Sequence, residues 1–169
     1  MAILHQLGLE FEVRPADIEE RSDGDPVEVT TENARRKALA VDGAVVIGAD
    51  TVVTLDAGIL SKPRDAAQAR EWLRALSGRT HRVLGGVCVR DQDVRLDVVE
   101  TEVRFRRLSE RDLDWYLASG EWRERAGAYA IQGRGAALVD AIRGDYLNVV
   151  GLSVAALLTL IPDLLDGGR

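Results

Sequence analysis

The chain of 169 residues has one cysteine, two histidines and no excess of positive charge, and each shortage closes off a class of protein. The lone Cys88 rules out an intramolecular disulfide framework; set in an apolar alternating run, it reads as a packed thiol and fits a reducing cytoplasm. His5 and His81 are too far apart in the sequence to show a metal-ligand spacing. The formal net charge of -6 argues against a nucleic-acid partner, which calls for a basic face. It leaves room for a small phosphorylated substrate, because a few local lysines and arginines outweigh the global sign. No apolar run approaches the roughly 20 residues needed to span a bilayer, and the start lacks a basic-then-apolar signal pattern. No membrane partner and a cytoplasmic location are therefore expected. There is no Walker A loop, no Ser-His-Asp order and no G-x-G-x-x-G fingerprint. What remains is a single domain over residues 1–169, long enough to bury a core without staples.

Helical and strand patterns interleave along the chain, which places it in the α/β or mixed class. Ile3 to Leu9 reads as the end of a helix stopped by Gly8, and Phe11-Glu12-Val13 as a short strand. An acidic, turn-rich loop runs from Asp17 to Asp25 and is closed by Pro26. The spacing predicts a helix over Thr31 to Val41, capped by Thr30 or Thr31, with Ala34, Ala38 and Val41 on one face. Asp65 caps a helix over Ala66 to Leu76, ended by Gly78. Arg82 to Arg90 and Val94 to Arg106 alternate as two strands about the turn Asp91-Gln92-Asp93. Ser109 and Asp112 form a capping box for a helix through Leu117. Ala136 to Val139 is strand-like, and Asn148 to Leu165 reads as one apolar helix, bent or ended at Pro162.

The most informative stretch is Val45-Val46-Ile47-Gly48-Ala49-Asp50-Thr51-Val52-Val53, a β-branched run interrupted by one carboxylate. A charge within a buried strand costs several kcal/mol, in rough terms, unless a cation, metal or pocket meets it. Asp50 reads either as a strand-end aspartate capping a turn or as a general base or metal ligand; Lys62, before Pro63, could supply the cation from a loop rim. Lys37, beside Arg35 and Arg36, reads alone as a solvated lysine, and Glu20 as part of a solvated acidic loop. Ala126 to Gly135 carries three glycines and is either a tight connection or a place where backbone approaches a ligand. Within it Gln132 offers both a donor and an acceptor, the pairing a nucleobase edge requires.

Taken in order, several segments resemble the Maf family of nucleoside triphosphate pyrophosphatases, also called septum formation inhibitor Maf-like proteins. They are Glu32-Asn33-Ala34-Arg35-Arg36-Lys37-Ala38, Gly48 to Val53, Lys62-Pro63 and Leu76-Ser77-Gly78-Arg79-Thr80-His81. Ala126-Gly127-Ala128-Tyr129, Ile131-Gln132-Gly133 and Gly144 to Leu152 complete the set. The resemblance covers essentially the whole chain. It implies a mixed α/β fold similar to the inosine triphosphatase group: a curved central sheet, flanking helices and a cleft between two lobes. The implied reaction is hydrolysis between the α and β phosphates, giving a monophosphate and pyrophosphate. Asp50 would activate water, Glu20 and Asp50 would hold a divalent metal (Mg or Mn), and Lys37 and Lys62 would neutralise phosphate charge. Thr51 and Gln132 fall on positions tied to base choice. The Ile131-Gln132-Gly133 pattern is similar to the dTTP and UTP group, whereas the 7-methyl-GTP group carries an acidic residue in place of the glutamine. A homodimer is the family expectation.

The resemblance also carries departures. Met1-Ala2-Ile3-Leu4 begins inside what resembles the family's first helix, so the strand and Ser-x-x-Arg-Arg element that precede it have no counterpart in these residues. Either the start is assigned too late or the chain is truncated there; in the second case the expectation is an exposed sheet edge or cleft wall and about 10²–10³ in rate lost per missing donor. Gly85 stands where the family often has threonine, Arg125 where it has lysine, and Ser153 where it has proline. The alternative function is a catalytically impaired nucleotide-binding or regulatory protein of the same fold. A structural role in division control is suggested by the family name alone.

Overall fold

The computed structural model describes residues 2–166. Its centre is one antiparallel sheet of five strands in the order β2-β1-β3-β4-β5: Val46–Leu55 (β1), Gly58–Leu60 (β2), Thr80–Arg90 (β3), Val94–Phe105 (β4) and Val139–Arg143 (β5). The flanking helices are Ala2–Gln6 (α1), Pro26–Leu39 (α2), Ala66–Leu76 (α3), Glu110–Ser119 (α4), Tyr146–Val150 (α5) and Val154–Leu160 (α6). The class is mixed α/β, as the interleaved pattern predicts.

Local hydrogen-bond chemistry sets most helix ends. Asp65 accepts from the Gln68 N–H and opens α3, and Ser109 and Asp112 close a reciprocal capping box on α4. The start of α2 differs from the expectation at Thr30 or Thr31. Asp25 is the cap, accepting from the Val27 and Glu28 amides at 3.0 and 3.1 Å, and Pro26 is the first helical residue. Proline is suited to that place because its missing N–H has no helical partner there. Thr30 and Thr31 instead bond back to the carbonyls of Pro26 and Val27.

Three further expectations are corrected and one element is added. Phe11 to Val13 forms no strand: no strand among the described residues pairs with it, and Phe11 packs on the His5 ring. Residues 136–138 belong to a 3₁₀ turn, Gly133–Leu138, and the strand begins at Val139. The C-terminal apolar run is two helices, broken where Gly151 takes a φ of 130° and Ser153 caps α6 by accepting from Ala156 N at 3.1 Å. The short hairpin strand β2, which the apolar pattern does not reveal, folds the chain back along β1 before Lys62.

α2 crosses β1 and β3 at close range because two glycines on that face leave room. A Cβ on Gly48 would lie 2.3 Å from the Ala34 carbonyl oxygen, and one on Gly86 would lie 2.7 Å from that of Thr30. Gly86 is the register partner of Asp50. Arg90 of β3 then ties down the end of α2 by donating to the Ala38 and Val41 carbonyls at 3.1 and 2.6 Å. On the opposite face Gly85, partner of Thr51, makes way for Asn148, whose Oδ1 would lie 1.8 Å from a Cβ there. The glycine that departs from the family pattern is thus required by the present position of Asn148, which itself donates to Val83 O and Val99 O.

The core is divided. One cluster joins Val53, Leu73, Leu76, Val83, Phe105, Leu113, Tyr116 and Leu138; a second joins Ile3, Leu4, Val87, Val89, Leu157 and Leu160. His81 is buried against the first, its ring on Phe105 and its Nε2 2.8 Å from the Tyr129 hydroxyl. Burial lowers its pKa from 6.5 to about 4. The unfolded chain therefore takes up a proton near pH 6.5 that the native state refuses, so stability is full above 6.5 and falls as pH drops toward 4. Urea unfolding at pH 7 and pH 4.5 should differ by about 2–3 kcal/mol from this residue alone. The His81→Phe variant should lose that part of the slope; an unchanged slope would contradict the assignment.

Candidate active site

β1 is paired with β3 from Val46 to Thr54, but on its other side β2 reaches only Val53 to Leu55. Residues 46–52 therefore form a sheet edge with no strand beside it among the described residues. A cleft of about 620 Å³ opens across this edge, its apolar wall drawn from Val53, Val83, Tyr129 and Ile131 of the first core cluster. Glu20, Lys37, Asp50, Thr51, Lys62 and Gln132, widely spaced in the sequence, all line it.

Asp50 stands fifth of ten residues in β1, in the middle of the strand rather than at its end, so the turn-cap reading is excluded. Its side chain is only 6% exposed, and both oxygens are met. Lys37 donates to Oδ1 at 2.6 Å and Asn33 to Oδ2 at 3.2 Å. Both donors come from α2, one turn apart, which places them on the same helix face. The cation that meets Asp50 is thus Lys37, not Lys62. The loop that carries Glu20 reaches the same point: its carboxylate lies 2.8 Å from Lys37 Nζ through Oε1 and 3.0 Å from Lys62 Nζ through Oε2. A chain of charges results, Lys62–Glu20–Lys37–Asp50, in which each inner group serves two neighbours.

The electrostatics follow from this chain. Burial opposes the Lys37 ammonium, yet its hydrogen bonds to Asp50 and Glu20 outweigh that and raise its pKa above 10.5. Burial also opposes the Glu20 carboxylate, and the two lysines overcome it and hold its pKa below 4.5. At neutral pH Lys37 and Glu20 are charged, and the cluster attracts phosphate through the lysines and cations through the carboxylates.

Several lining residues are assigned no role by the sequence. Asn33, 2% exposed, uses its whole amide: Oδ1 accepts from Arg21 N at 2.8 Å while Nδ2 donates to Arg21 O at 2.9 Å as well as to Asp50. It thereby fixes the Glu20 loop against α2. The available hints are its place in the segment Glu32 to Ala38 and its spacing of four from Lys37. Arg125, Glu121 and Glu124 line the other wall. Backbone strain gathers there too: Glu124 (φ 56°) and Ala128 (φ 62°) take left-handed conformations, at about 1–2 kcal/mol each. Gly127, with φ 67°, presses that loop onto Val53, within 2.9 Å of where a Cβ would sit.

Gln132 is exposed on the 126–135 loop facing the cleft, and Thr51 lies beside Asp50 but on the other face of β1. No group of three histidine, cysteine, aspartate or glutamate side chains suited to a metal occurs among the described residues. No described helix is long and apolar enough to cross a membrane.

The chain is 52% identical over 166 residues to a dTTP/UTP pyrophosphatase of Anaeromyxobacter dehalogenans (strain 2CP-C), covering 94% of this chain and 86% of that protein. It is 44% identical over 162 residues to a dTTP/UTP pyrophosphatase of Pyrococcus horikoshii, covering 91% and 87%. A dTTP/UTP pyrophosphatase of Dictyoglomus thermophilum is 42% identical over 169 residues, covering 94% and 88%. The profile described as Maf-like protein matches residues 1–164, and with these relatives it establishes that the chain belongs to the Maf-like protein family.

Proposed function

We propose that this chain hydrolyses the pyrimidine nucleoside triphosphates dTTP and UTP to the monophosphate and pyrophosphate. The observation that carries the reading is a cleft lined by a buried, doubly anchored carboxylate, two lysines and Gln132. Its volume of about 620 Å³ falls within the range of roughly 300–1,000 Å³ common for small-molecule sites. Relatives at 42–52% identity carry the corresponding name.

In this reading Asp50 accepts the proton of the attacking water. Lys37 and Asn33 hold its two oxygens, so the carboxylate needs no reorientation when the water arrives. Lys37 and Lys62 supply charge to the triphosphate, which must exchange with Glu20 and Asp50 for their ammonium groups. Phosphoryl-type transfer asks mainly for positioning and charge stabilisation, and this set provides both.

Glu20 and Asp50 are hard oxygen donors of the kind that bind Mg or Mn. If a divalent cation binds, Glu20 and Asp50 are the side chains that would hold it, in exchange for their present contacts with the lysines and Asn33. When bound, the metal would neutralise charge on the phosphates. Thr51 and Gln132 would contact the base, where uracil and thymine present an acceptor-donor-acceptor edge that an amide can pair.

The test is incubation of the purified chain with UTP, dTTP or 7-methyl-GTP and Mg²⁺, with separate assays of pyrophosphate and orthophosphate. Equal amounts of pyrophosphate and nucleoside monophosphate from UTP and dTTP, with 7-methyl-GTP spared, are expected. Orthophosphate with a nucleoside diphosphate, or a rise in melting temperature without turnover, would overturn the reading.

A further inference from the structure

The loop that bears Gln132 is mounted on α4 and the turn after it. The Tyr116 hydroxyl, buried on α4, accepts the Ala130 N–H at 3.0 Å. The guanidinium of Arg134 lies 5.5 Å from the centre of the Trp115 ring. Between these anchors stands Glu121, next to the left-handed Gly120 (φ 74°) that ends α4. Its two carboxylate oxygens accept the Arg134 N–H at 2.9 and 3.2 Å, and one also accepts the Gly135 N–H at 3.3 Å. Successive backbone N–H groups of this kind form an anion-binding nest, and bonds to an ionised acceptor are stronger than neutral ones.

The fit leaves no slack behind Gln132. A Cβ on Gly133 would lie 3.0 Å from both Glu121 oxygens, and one on Gly135 would lie 1.7 Å from the Ala130 carbonyl oxygen. Of the three side chains that anchor the loop, only Glu121 also lines the cleft. It therefore joins the rigid helix, the glycine turn and the recognition wall in one contact.

We propose that Glu121 is the positioning residue for base selection. By filling the nest at Arg134 and Gly135 it fixes the cleft wall carrying Gln132, and so sets which base is accepted. The proposal rests on the pyrimidine triphosphate reading above. A wall held in place leaves polar groups unpaired, or too little room, when the wrong base enters, and unpaired buried groups are what make rejection strong. A wall released from Glu121 can retreat toward water and spare that penalty.

The experiment compares kcat/KM for UTP with CTP, in which two edge positions are exchanged, and with GTP, which has the larger ring. The variants are Glu121→Ala and Glu121→Gln. Glu121→Ala is expected to lower the UTP preference over CTP or over GTP about tenfold, with kcat on saturating UTP within about threefold of the parent. Glu121→Gln, which keeps one carbonyl acceptor for the nest, is expected to retain most of the preference. Preferences unchanged within about twofold in Glu121→Ala would overturn the proposal, as would a fall in UTP turnover that tracks a loss of melting temperature.

If the parent releases no pyrophosphate, the proposed activity fails and calorimetric titration of the same nucleotides decides the Glu121 question alone. Selective UTP binding by the parent that is lost in Glu121→Ala would uphold it. Equal selectivity in both proteins, or no nucleotide binding by the parent, would end it.

Discussion

Asp50→Asn is expected to reduce pyrophosphate release from UTP by about 10³, the middle of the range for loss of a positioned general base. The substitution keeps the size of the side chain and an oxygen able to accept from Lys37. It removes the charge, and it sets an amide donor against the Asn33 amide, which already donates to Oδ2. Lys37 keeps a partner in Glu20, 2.8 Å away, so the fold should survive with little loss. The expected pattern is therefore a collapse of kcat at nearly constant melting temperature. A variant that retains more than a tenth of the parent turnover would remove Asp50 from the role of base.

Gly48→Val should have the largest effect on stability. The first carbon of any side chain there falls 2.3 Å from the Ala34 carbonyl oxygen and 2.7 Å from the Ala38 amide nitrogen, both backbone atoms of α2 that cannot rotate away. Helix and strand must separate, at about 3 kcal/mol or roughly 6–12 °C in Tm for a chain of this size. Because α2 carries both Asn33 and Lys37, any fraction that folds should also turn over slowly. Gly58→Ala is the control: in β2 its nearest neighbour would be the Leu55 oxygen at 3.6 Å, and little change is expected. Equal losses in the two variants would mean that the close seat of α2 is not what matters.

What could be read from the chain alone follows the range of the forces involved. The caps at Asp65 and Ser109 are written in neighbouring residues, and the sequence pattern locates them correctly. The cap at Asp25 is equally local, but Pro26 reads as the close of a loop as easily as the opening of a helix. The strand expected at Phe11 fails because a strand needs a neighbour, and alternation says nothing about one. The C-terminal run keeps its apolar spacing through Leu152, which hides the break at Gly151 and Ser153.

The same distinction holds in the cleft. A lone carboxylate in an apolar strand announces itself, whereas its partner does not. Lys62 and Lys37 lie almost equally far from Asp50 along the chain, and the contact is made by Lys37, from a helix whose approach depends on Gly48 and Gly86. The role of Asn33 depends on the same seat and on the path of the Glu20 loop, neither of which leaves a trace in residue spacing.

The alternation of β1 has a consequence for how this chain can change length. Asp50 faces α2 opposite Gly86, and Thr51 faces Asn148 opposite Gly85. Removing one residue between Gly48 and Asp50 would turn the carboxylate to the wrong side of the sheet while leaving the composition almost untouched. Removing one from the exposed stretch Asp42 to Val45 would be absorbed before the strand begins. Insertions and deletions in this protein are therefore expected to be tolerated just ahead of β1 and ruinous four residues further on, at Ala49, a boundary sharper than any drawn by substitutions.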